Sequence, residues 1–430
     1  MPQLALDLRF RGAVHQLTDP DLERRIDADT LTLYSGFDPT ADSLHVGHLL
    51  QLCTLRRFQL AGHRPIALAG GGTGFIGDPG GKTEERVLLS ADELAANVAA
   101  VRTQLGAFLD FSPGASAAVL LDNAAWLTEL RLIPFLRDVG KHFTVNQMVA
   151  KESVRARLER PERGISFTEF SYMLLQAYDF LRLFDDHGCR LQIGGSDQWG
   201  NITLGIELIR RLRGAEAFGL TTPLLVKADG GKFGKTEHGT VWLSRERTSP
   251  YQLFQFFVRG DDATVGTHLR LLTFLDHDTI RHLDEETAEH PERRAGQRAL
   301  ARAVCTMVHG ETETERAERA ADALFGEEVA QLDEVTLLDV FGDAPSTSMA
   351  RSRLGSGHGG GGLLVVDALA ETGLVPSKSR ARATVEQGGA YVNNRRVDGV
   401  DAVLSEGDLI AGSYLVLRRG RKDHHLVRFA

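Results

Sequence analysis

The sequence predicts an α/β domain built on a Rossmann-like parallel sheet, followed by an α-helical domain and a small α+β module. Three observations predict this. First, Leu31–Tyr34 reads as a strand end, Leu49, Leu50, Leu52, Leu55 and Phe58 recur at helical spacing, and residues 64–70 (RPIALAG) read as a buried strand. Such a β-α-β unit pairs its strands in parallel and gathers ligands at their C-terminal ends. Second, from Ser249-Pro250 to Phe341, segments such as YQLFQFFVR and HLRLLTFL keep a helical period. Third, SGHGGGG at 356–362 marks a flexible linker, and helix and short-strand signals mix after it. The expected divisions are therefore 1–248, 249–342, a Gly-rich linker 343–362, and 363–430.

Bulk properties narrow the class. With 430 residues, the chain can hold two or three domains with real cores. Apolar content of 42% and charged content of 25% set aside disordered and fibrous classes. Cys53, Cys189 and Cys305 are odd in number and far apart, which suits a reducing compartment better than a disulfide framework. The opening MPQLALDLRFRG is too charged for a signal peptide, and no run approaches membrane-spanning length. A cytoplasmic protein without a membrane partner is expected. Net charge is −9, yet residues 363–430 carry ten Lys and Arg against eight Asp and Glu. A weakly basic tail on an acidic body permits RNA binding there.

Taken in order, residues 4–27 leave two readings open. Leu4, Leu6, Leu8 and Phe10 alternate like a strand, whereas Thr18-Asp19-Pro20 before DLERRI reads as a helix start. Next comes LYSGFDPTADSLHVGHLL at 33–50. Gly36, Pro39, Thr40, Asp42 and Ser43 form a turn, and Asp42 or Ser43 is the expected helix cap. His45 and His48 then share one face of the first helical turn, with Gly47 leaving the backbone bare between them. A helix start favours anions, and two imidazoles with Thr40 add donors for phosphate oxygens. Zinc is the rival reading, but the spacing is three and no glutamate lies between the histidines.

GGGTGFIGDPGGKTEER follows the second strand. Gly72, Gly74 and Gly77 fit a dinucleotide fingerprint, but Pro79-Gly80-Gly81 forbids the helix it needs. The stretch is also one residue short of a phosphate-binding Walker loop. It reads as a loop that carries Asp78 to the sheet edge, where a carboxylate can pair with an ammonium group. Residues 90–109 read as a helix and 117–121 as a strand, ending at Asp122-Asn123. Residues 126–160 read as helices broken near Gly140, with more apolar residues than one face needs. A core or a subunit interface could use them.

FTEFSYMLLQAYDF at 167–180 places Tyr172, Gln176 and Asp179 on one face of a helix apolar on its other sides. Buried polar groups need partners; a ligand and a core network both remain open. RLQI at 190–193 is a strand that ends in GGSDQWGN, offering Gln192, Gly195, Asp197 and Gln198 as ligand contacts. KADGGKFGKTEHG then sets Lys232, Lys235 and Thr236 among glycines, as a loop able to close cations over a polyphosphate. In the last module, Ser377 opens a helix, and Lys378, Arg380, Arg382, Arg395 and Arg396 are candidate phosphate contacts.

H-x-G-H and K-F-G-K-T resemble the two signatures of class I aminoacyl-tRNA synthetases. With IGDPGGKTEER, YMLLQAYDF and QIGGSDQWGN in the same order, nearly the whole chain resembles the bacterial tyrosyl-tRNA synthetases. The resemblance implies tyrosine activation by ATP, transfer to tRNA(Tyr), Mg²⁺ accompanying ATP, no resident metal, and a homodimer. It assigns Tyr34 and Asp179 to the substrate phenol, and Asp78, Tyr172 and Gln176 to its α-ammonium. Asp38, Gln192 and Gln198 would flank the amino acid and its carboxylate. His48 and Asp197, with Gly36, Gly47 and Gly195, fall to the adenosine side. Thr40, His45, Lys232, Lys235 and Thr236 fall to the phosphates. It makes 249–342 an anticodon-binding domain, and 363–430 resembles an RNA-binding module shared with a ribosomal protein. Ser35 and Gln51 depart from the Cys and Thr common in that family. An H-x-G-H adenylyltransferase of small-molecule metabolism would need neither of the last two domains.

Overall fold

The computed structural model describes residues 3–78, 89–159, 164–227, 230–231, 233–236, 239–323, 327–342, 344–355, 361–420 and 423–430. Its central sheet has six strands: β1 (Gln16–Leu17), β2 (Thr32–Phe37), β3 (Arg64–Ala69), β4 (Val119–Asp122), β5 (Cys189–Gly195) and β6 (Phe218–Thr222), in the order β1-β6-β5-β2-β3-β4. All neighbours are parallel except β1, which closes the β6 edge antiparallel. Strand order therefore runs outward in both directions from the β2–β5 pair. A ligand crevice is expected at the C-terminal ends of those two strands.

The alternation of each strand divides the packing. Tyr34, Ile66 and Leu68 face helices Phe167–His187 and Trp199–Arg213, sharing a buried cluster with Phe180, Leu204 and Leu208. Gly205 lets those two helices close: a Cβ there would lie 2.9 Å from the Phe180 ring. On the other face, Ala69 packs with Leu94 and Val98 of helix Ala91–Phe108. That helix begins at Ser90 in a capping box with Glu93. Helix Phe167–His187 is capped by the Ser166 hydroxyl and stops at Gly188, whose φ of 62° is left-handed. The open question at the N-terminus resolves to helices Leu4–Arg11 and Leu22–Ala28, with the two-residue β1 between them.

The expected boundaries differ from the compact units. One unit joins Met1–Thr248 to Arg259–Val308; the other joins Ser249–Val258 to His309–Ala430. Within the first, Arg11 and Arg57 explain the difference. Both are buried, and their guanidiniums donate to the carbonyls of Arg270 and Thr273, with Leu275 added by Arg11 and Leu271 by Arg57. Two cations thus cap the end of helix Asp262–Leu272, where the chain leaves carbonyls unpaired.

In the second unit, part of the expected linker is structural. Besides the short pair β7 (Lys235–Thr236) and β8 (Gly239–Thr240) of the first unit, the chain forms β9 (Ser346–Met349), β10 (Ala390–Val392), β11 (Arg395–Arg396), β12 (Tyr414–Arg419) and β13 (Asp423–Phe429). Their order is β11-β10-β12-β13-β9, and β9 runs parallel to β13. Leu415, Leu417 and Val427 face helices Val365–Glu371 and Lys378–Glu386. Ile410, Tyr414, Val416 and Leu426 cover Leu337 and Phe341 of helix Glu334–Phe341. Residues 343 and 356–360 of the expected linker lie outside the described residues.

Candidate active site

The H-x-G-H turn is the next element after β2, reached through residues 38–44. Neither Asp42 nor Ser43 caps a helix, as the sequence suggested. His45 itself caps a 3-10 turn, Val46–His48, and the α-helix begins at Leu49. The reason is that backbone N–H groups donate to the rings: Gly47 N to His45 Nδ1 and His45 N to His48 Nδ1, both at 3.1 Å. With Nδ1 accepting, each neutral ring carries its proton on Nε2. The rings stack with centroids 3.9 Å apart. Burial, and then the neighbouring His45, push the His48 pKa well below its ordinary range, so His48 is a neutral donor at pH 7. A Cβ on Gly47 would lie 2.8 Å from the His45 ring, so only glycine fits under it.

Asp179 occupies the other end of the crevice. Its carboxylate is buried and accepts from Asn123 Nδ2 at 2.8 Å and Trp126 Nε1 at 2.7 Å. Asn123 Nδ2 also reaches Thr73 Oγ1 at 3.0 Å, Thr73 Oγ1 donates to Asp38 at 2.8 Å, and Tyr172 Oη donates to the second Asp38 oxygen at 2.9 Å. Burial pushes the Asp179 pKa up to about 7, against the lowering effect of its two hydrogen bonds. Tyr34 pairs in register with Gln192 across β2 and β5. The Tyr34 hydroxyl and the Gln192 side-chain oxygen are buried without a hydrogen-bond partner among the described residues. Burial first, and the charge on Asp179 second, raise the Tyr34 pKa well above 10. Two orphaned polar atoms in a dry wall beside a carboxylate mark a place where a polar ligand group completes the bonding.

A second chain of bonds lies between these ends. Gln198 Nε2 donates to Asp78 at 2.6 Å, Gln176 Nε2 to Gln198 Oε1 at 3.2 Å, and Asn201 Nδ2 to Gln176 Oε1 at 2.8 Å. Tyr172, Gln176 and Asp179 thus do share a helix face and all point into polar partners. Gly195 clears room for Asp197: a Cβ there would lie 2.6 Å from the Asp197 carboxylate. Asp197, Thr40 and Gly36 are exposed around the crevice, and the Thr40 N–H donates to the Asp38 carbonyl at 2.9 Å. Gln51 donates to Thr222 Oγ1 at 2.8 Å, and Ser35 is buried.

The lysine loop is rooted on the same turn. Lys235 and Thr236 form β7, though their side chains, and Lys232 entirely, lie outside the described residues. Val241 N donates to Gly234 O at 2.9 Å, Val46 N to Val241 O at 3.1 Å, and Leu243 N to Leu44 O at 2.8 Å. Gly234 has φ of 81°, and a Cβ there would lie 2.5 Å from Val46. The structure therefore brings the loop backbone against His45–His48. In the other unit, Lys378, Arg380, Arg382, Arg395 and Arg396 are exposed, and Lys378 pairs with Asp367 at 3.0 Å.

Sequence reasoning assigned no role to Thr73, Asn123 or Trp126. Asn123 carried a usable signal, because it directly follows β4 and so stands at a strand's C-terminal end. Trp126, three residues on, looks like plain core until its indole N–H is seen on Asp179.

Comparison with known proteins decides the family. Residues 27–326 match the family model for class I tRNA synthetases (W and Y), and residues 337–427 match the tyrosine–tRNA ligase C-terminal domain. The chain belongs to the tyrosine–tRNA ligase family. It is 56% identical to a tyrosine–tRNA ligase of Roseiflexus castenholzii over 98% of both chains. It is 51% identical to that of Geobacillus stearothermophilus, over 99% of this chain and all of the relative. A solved, C-terminally truncated mitochondrial tyrosyl-tRNA synthetase of Aspergillus nidulans superposes with a TM-score of 0.68 at 32% identity, covering 76% of this chain and 95% of that one. A Plasmodium falciparum tryptophanyl-tRNA synthetase also shares the fold, with a TM-score of 0.53 at 14% identity over 78% of this chain and 87% of that one.

Proposed function

We propose that this tyrosine–tRNA ligase activates L-tyrosine with ATP to tyrosyl-adenylate and pyrophosphate, then transfers tyrosine to the 3′-terminal ribose of tRNA(Tyr). The observation that supports it most is the buried Tyr34 hydroxyl without a partner beside Asp179. A phenol entering there donates to Asp179 and accepts from Tyr34. An amino acid lacking that hydroxyl leaves the buried Tyr34 hydroxyl unpaired, gives Asp179 no third donor, and is rejected. Asp78, Tyr172 and Gln176 receive the ammonium, while Asp38, Gln192 and Gln198 border the carboxylate. The carboxylate is already ionised, so its attack on the α-phosphorus needs no general base. Positioning and charge stabilisation suffice. His48, Asp197, Gly36, Gly47 and Gly195 border the nucleoside. Thr40, His45, Lys232, Lys235 and Thr236 donate to the leaving pyrophosphate.

Mg²⁺ belongs with ATP in this reading, where it neutralises phosphate charge. Among the described residues no three His, Cys, Asp or Glu side chains gather to hold a metal. No helix among the described residues is long and apolar enough to cross a membrane, and a cytoplasmic location fits the reading.

The exposed apolar residues Leu132, Ile133, Val145 and Phe167, between 64% and 78% accessible, favour a homodimer that covers them. Sedimentation at low micromolar concentration should give a dimer, and Ile133→Arg should shift it to monomer. The exposed arginines of the second unit fit RNA phosphates. Replacing Arg380, Arg382, Arg395 and Arg396 by Ala should cut tRNA charging about tenfold or more and spare pyrophosphate exchange. The primary test is amino-acid-dependent exchange across the twenty amino acids. Tyrosine alone should support it; exchange with tryptophan alone, or with none, rejects the reading.

A further inference from the structure

We propose that Trp242 is a positioning residue that fixes the His45 imidazole and joins it to the root of the lysine loop. The inference rests on the phosphate role proposed for His45. Four contacts carry it. Trp242 and His45 form an antiparallel backbone bridge. Their rings meet with centroids 6.2 Å apart at 61°, while His48 stacks on the imidazole at 24°. The Arg247 guanidinium lies over the indole, 4.6 Å from its centroid. Arg247 Nε reaches Asp42 Oδ1 at 2.5 Å. The set closes on itself, because Asp42 precedes His45 by only three residues.

The backbone reinforces the ring. The Trp242 N–H donates to the buried Thr248 hydroxyl at 2.9 Å, and Ser244 N donates to Ser43 Oγ at 3.1 Å. Gln104 holds the same turn from helix Ala91–Phe108, accepting from Leu44 N at 2.7 Å and donating to Ser43 Oγ at 3.0 Å. The strand pair that carries Lys235 and Thr236 leads straight into Val241–Leu243. A shift of the indole therefore moves His45 and tilts the loop root together. Donors to a developing charge must be held within about half an ångström, so this clamp acts on rate rather than on tyrosine affinity. The Asp42–Arg247 pair is exposed and adds little to stability, which makes it a clean lever.

The test uses full-length enzyme, tyrosine-dependent pyrophosphate exchange and thermal melting. Trp242→Leu should lower kcat about tenfold, with the KM for tyrosine unchanged within about twofold. Trp242→Phe should restore kcat to within about threefold, and Arg247→Gln should cost about threefold. In a His45→Ala background each of these changes should cost less than about twofold, because the group they position is gone. The same loss in both backgrounds, an unchanged kcat in a folded Trp242→Leu enzyme, or a change confined to KM would overturn the inference. Should Trp242→Leu not fold, Arg247→Gln in the two backgrounds decides by the same criterion. If His45→Ala is as active as the parent, the role of His45 itself fails and the inference falls with it.

Discussion

The two ends of the crevice are built by different means. At the Asp179 end, Asp38 after β2, Thr73 after β3, Asn123 and Trp126 after β4, and Tyr172 and Asp179 of helix Phe167–His187 are bonded to one another. At the His45 end, the polar groups sit on a turn and a glycine-rich loop, where Gly230, Gly234 and Gly239 all have positive φ. The first end can measure shape and hydrogen bonding because it does not need to move. In the proposed reading the second end admits a nucleotide and releases pyrophosphate, which asks for backbone donors and cations on a loop. Selection and rate should therefore separate on mutation.

The largest effect is expected at the phosphate end. On the role proposed for it, His45 donates to charge that grows only in the transition state, and His45→Ala removes that donor. It should lower the kcat of exchange by about 10²-fold, with the KM for tyrosine nearly unchanged. A rise in KM alone would place His45 in substrate binding and erase the contrast between the two ends. Asp179→Asn should do the opposite. Loss of a charge-assisted bond to the phenol should raise the KM for tyrosine roughly tenfold to a hundredfold, and measured discrimination against phenylalanine should fall with it.

Asn123→Ala sharpens the contrast further. It touches no proposed phosphate ligand, yet it unties both Asp179 and Thr73. We expect about a tenfold rise in the KM for tyrosine and little change in kcat, read by exchange kinetics. A loss confined to kcat would show that the bonded chain serves geometry at the phosphates instead.

Legibility in the sequence follows the same divide. The Tyr172, Gln176 and Asp179 stripe was readable because helical spacing forces those side chains onto one face. The β-α-β unit was readable because its strands are buried apolar runs. The cap of the H-x-G-H turn was not. Asp and Ser are the usual caps, and only coordinates reveal imidazole nitrogens accepting the backbone donors instead. Nor was β9 readable. It is a four-residue polar edge strand, STSM, whose partner β13 lies some eighty residues onward, so no local pattern announces the pairing. Lys232, with the side chains of Lys235 and Thr236, stays an assignment by motif.

The smallest expected effect separates the ends by pH. The pKa of Asp179 is raised by burial to about 7 from an ordinary 3.8. Above pH 7 the carboxylate is ionised and accepts the strongest bond from the phenol. As pH falls from 8 to 6 the KM for tyrosine should therefore rise about fivefold to tenfold, while Asp179→Asn should be flat. Stability runs the other way. A folded-state pKa above the unfolded value means that the native state holds the proton more tightly. The stabilisation is complete below about pH 4 and is lost as pH rises through 7, by up to about 4 kcal/mol. Asn mimics the protonated carboxyl, so Asp179→Asn should match the parent in denaturant unfolding near pH 4 and exceed it at pH 8. Equal stability at both pH values would mean that Asn123 and Trp126 already satisfy the ionised carboxylate, and that the phenol end needs no substrate to complete it.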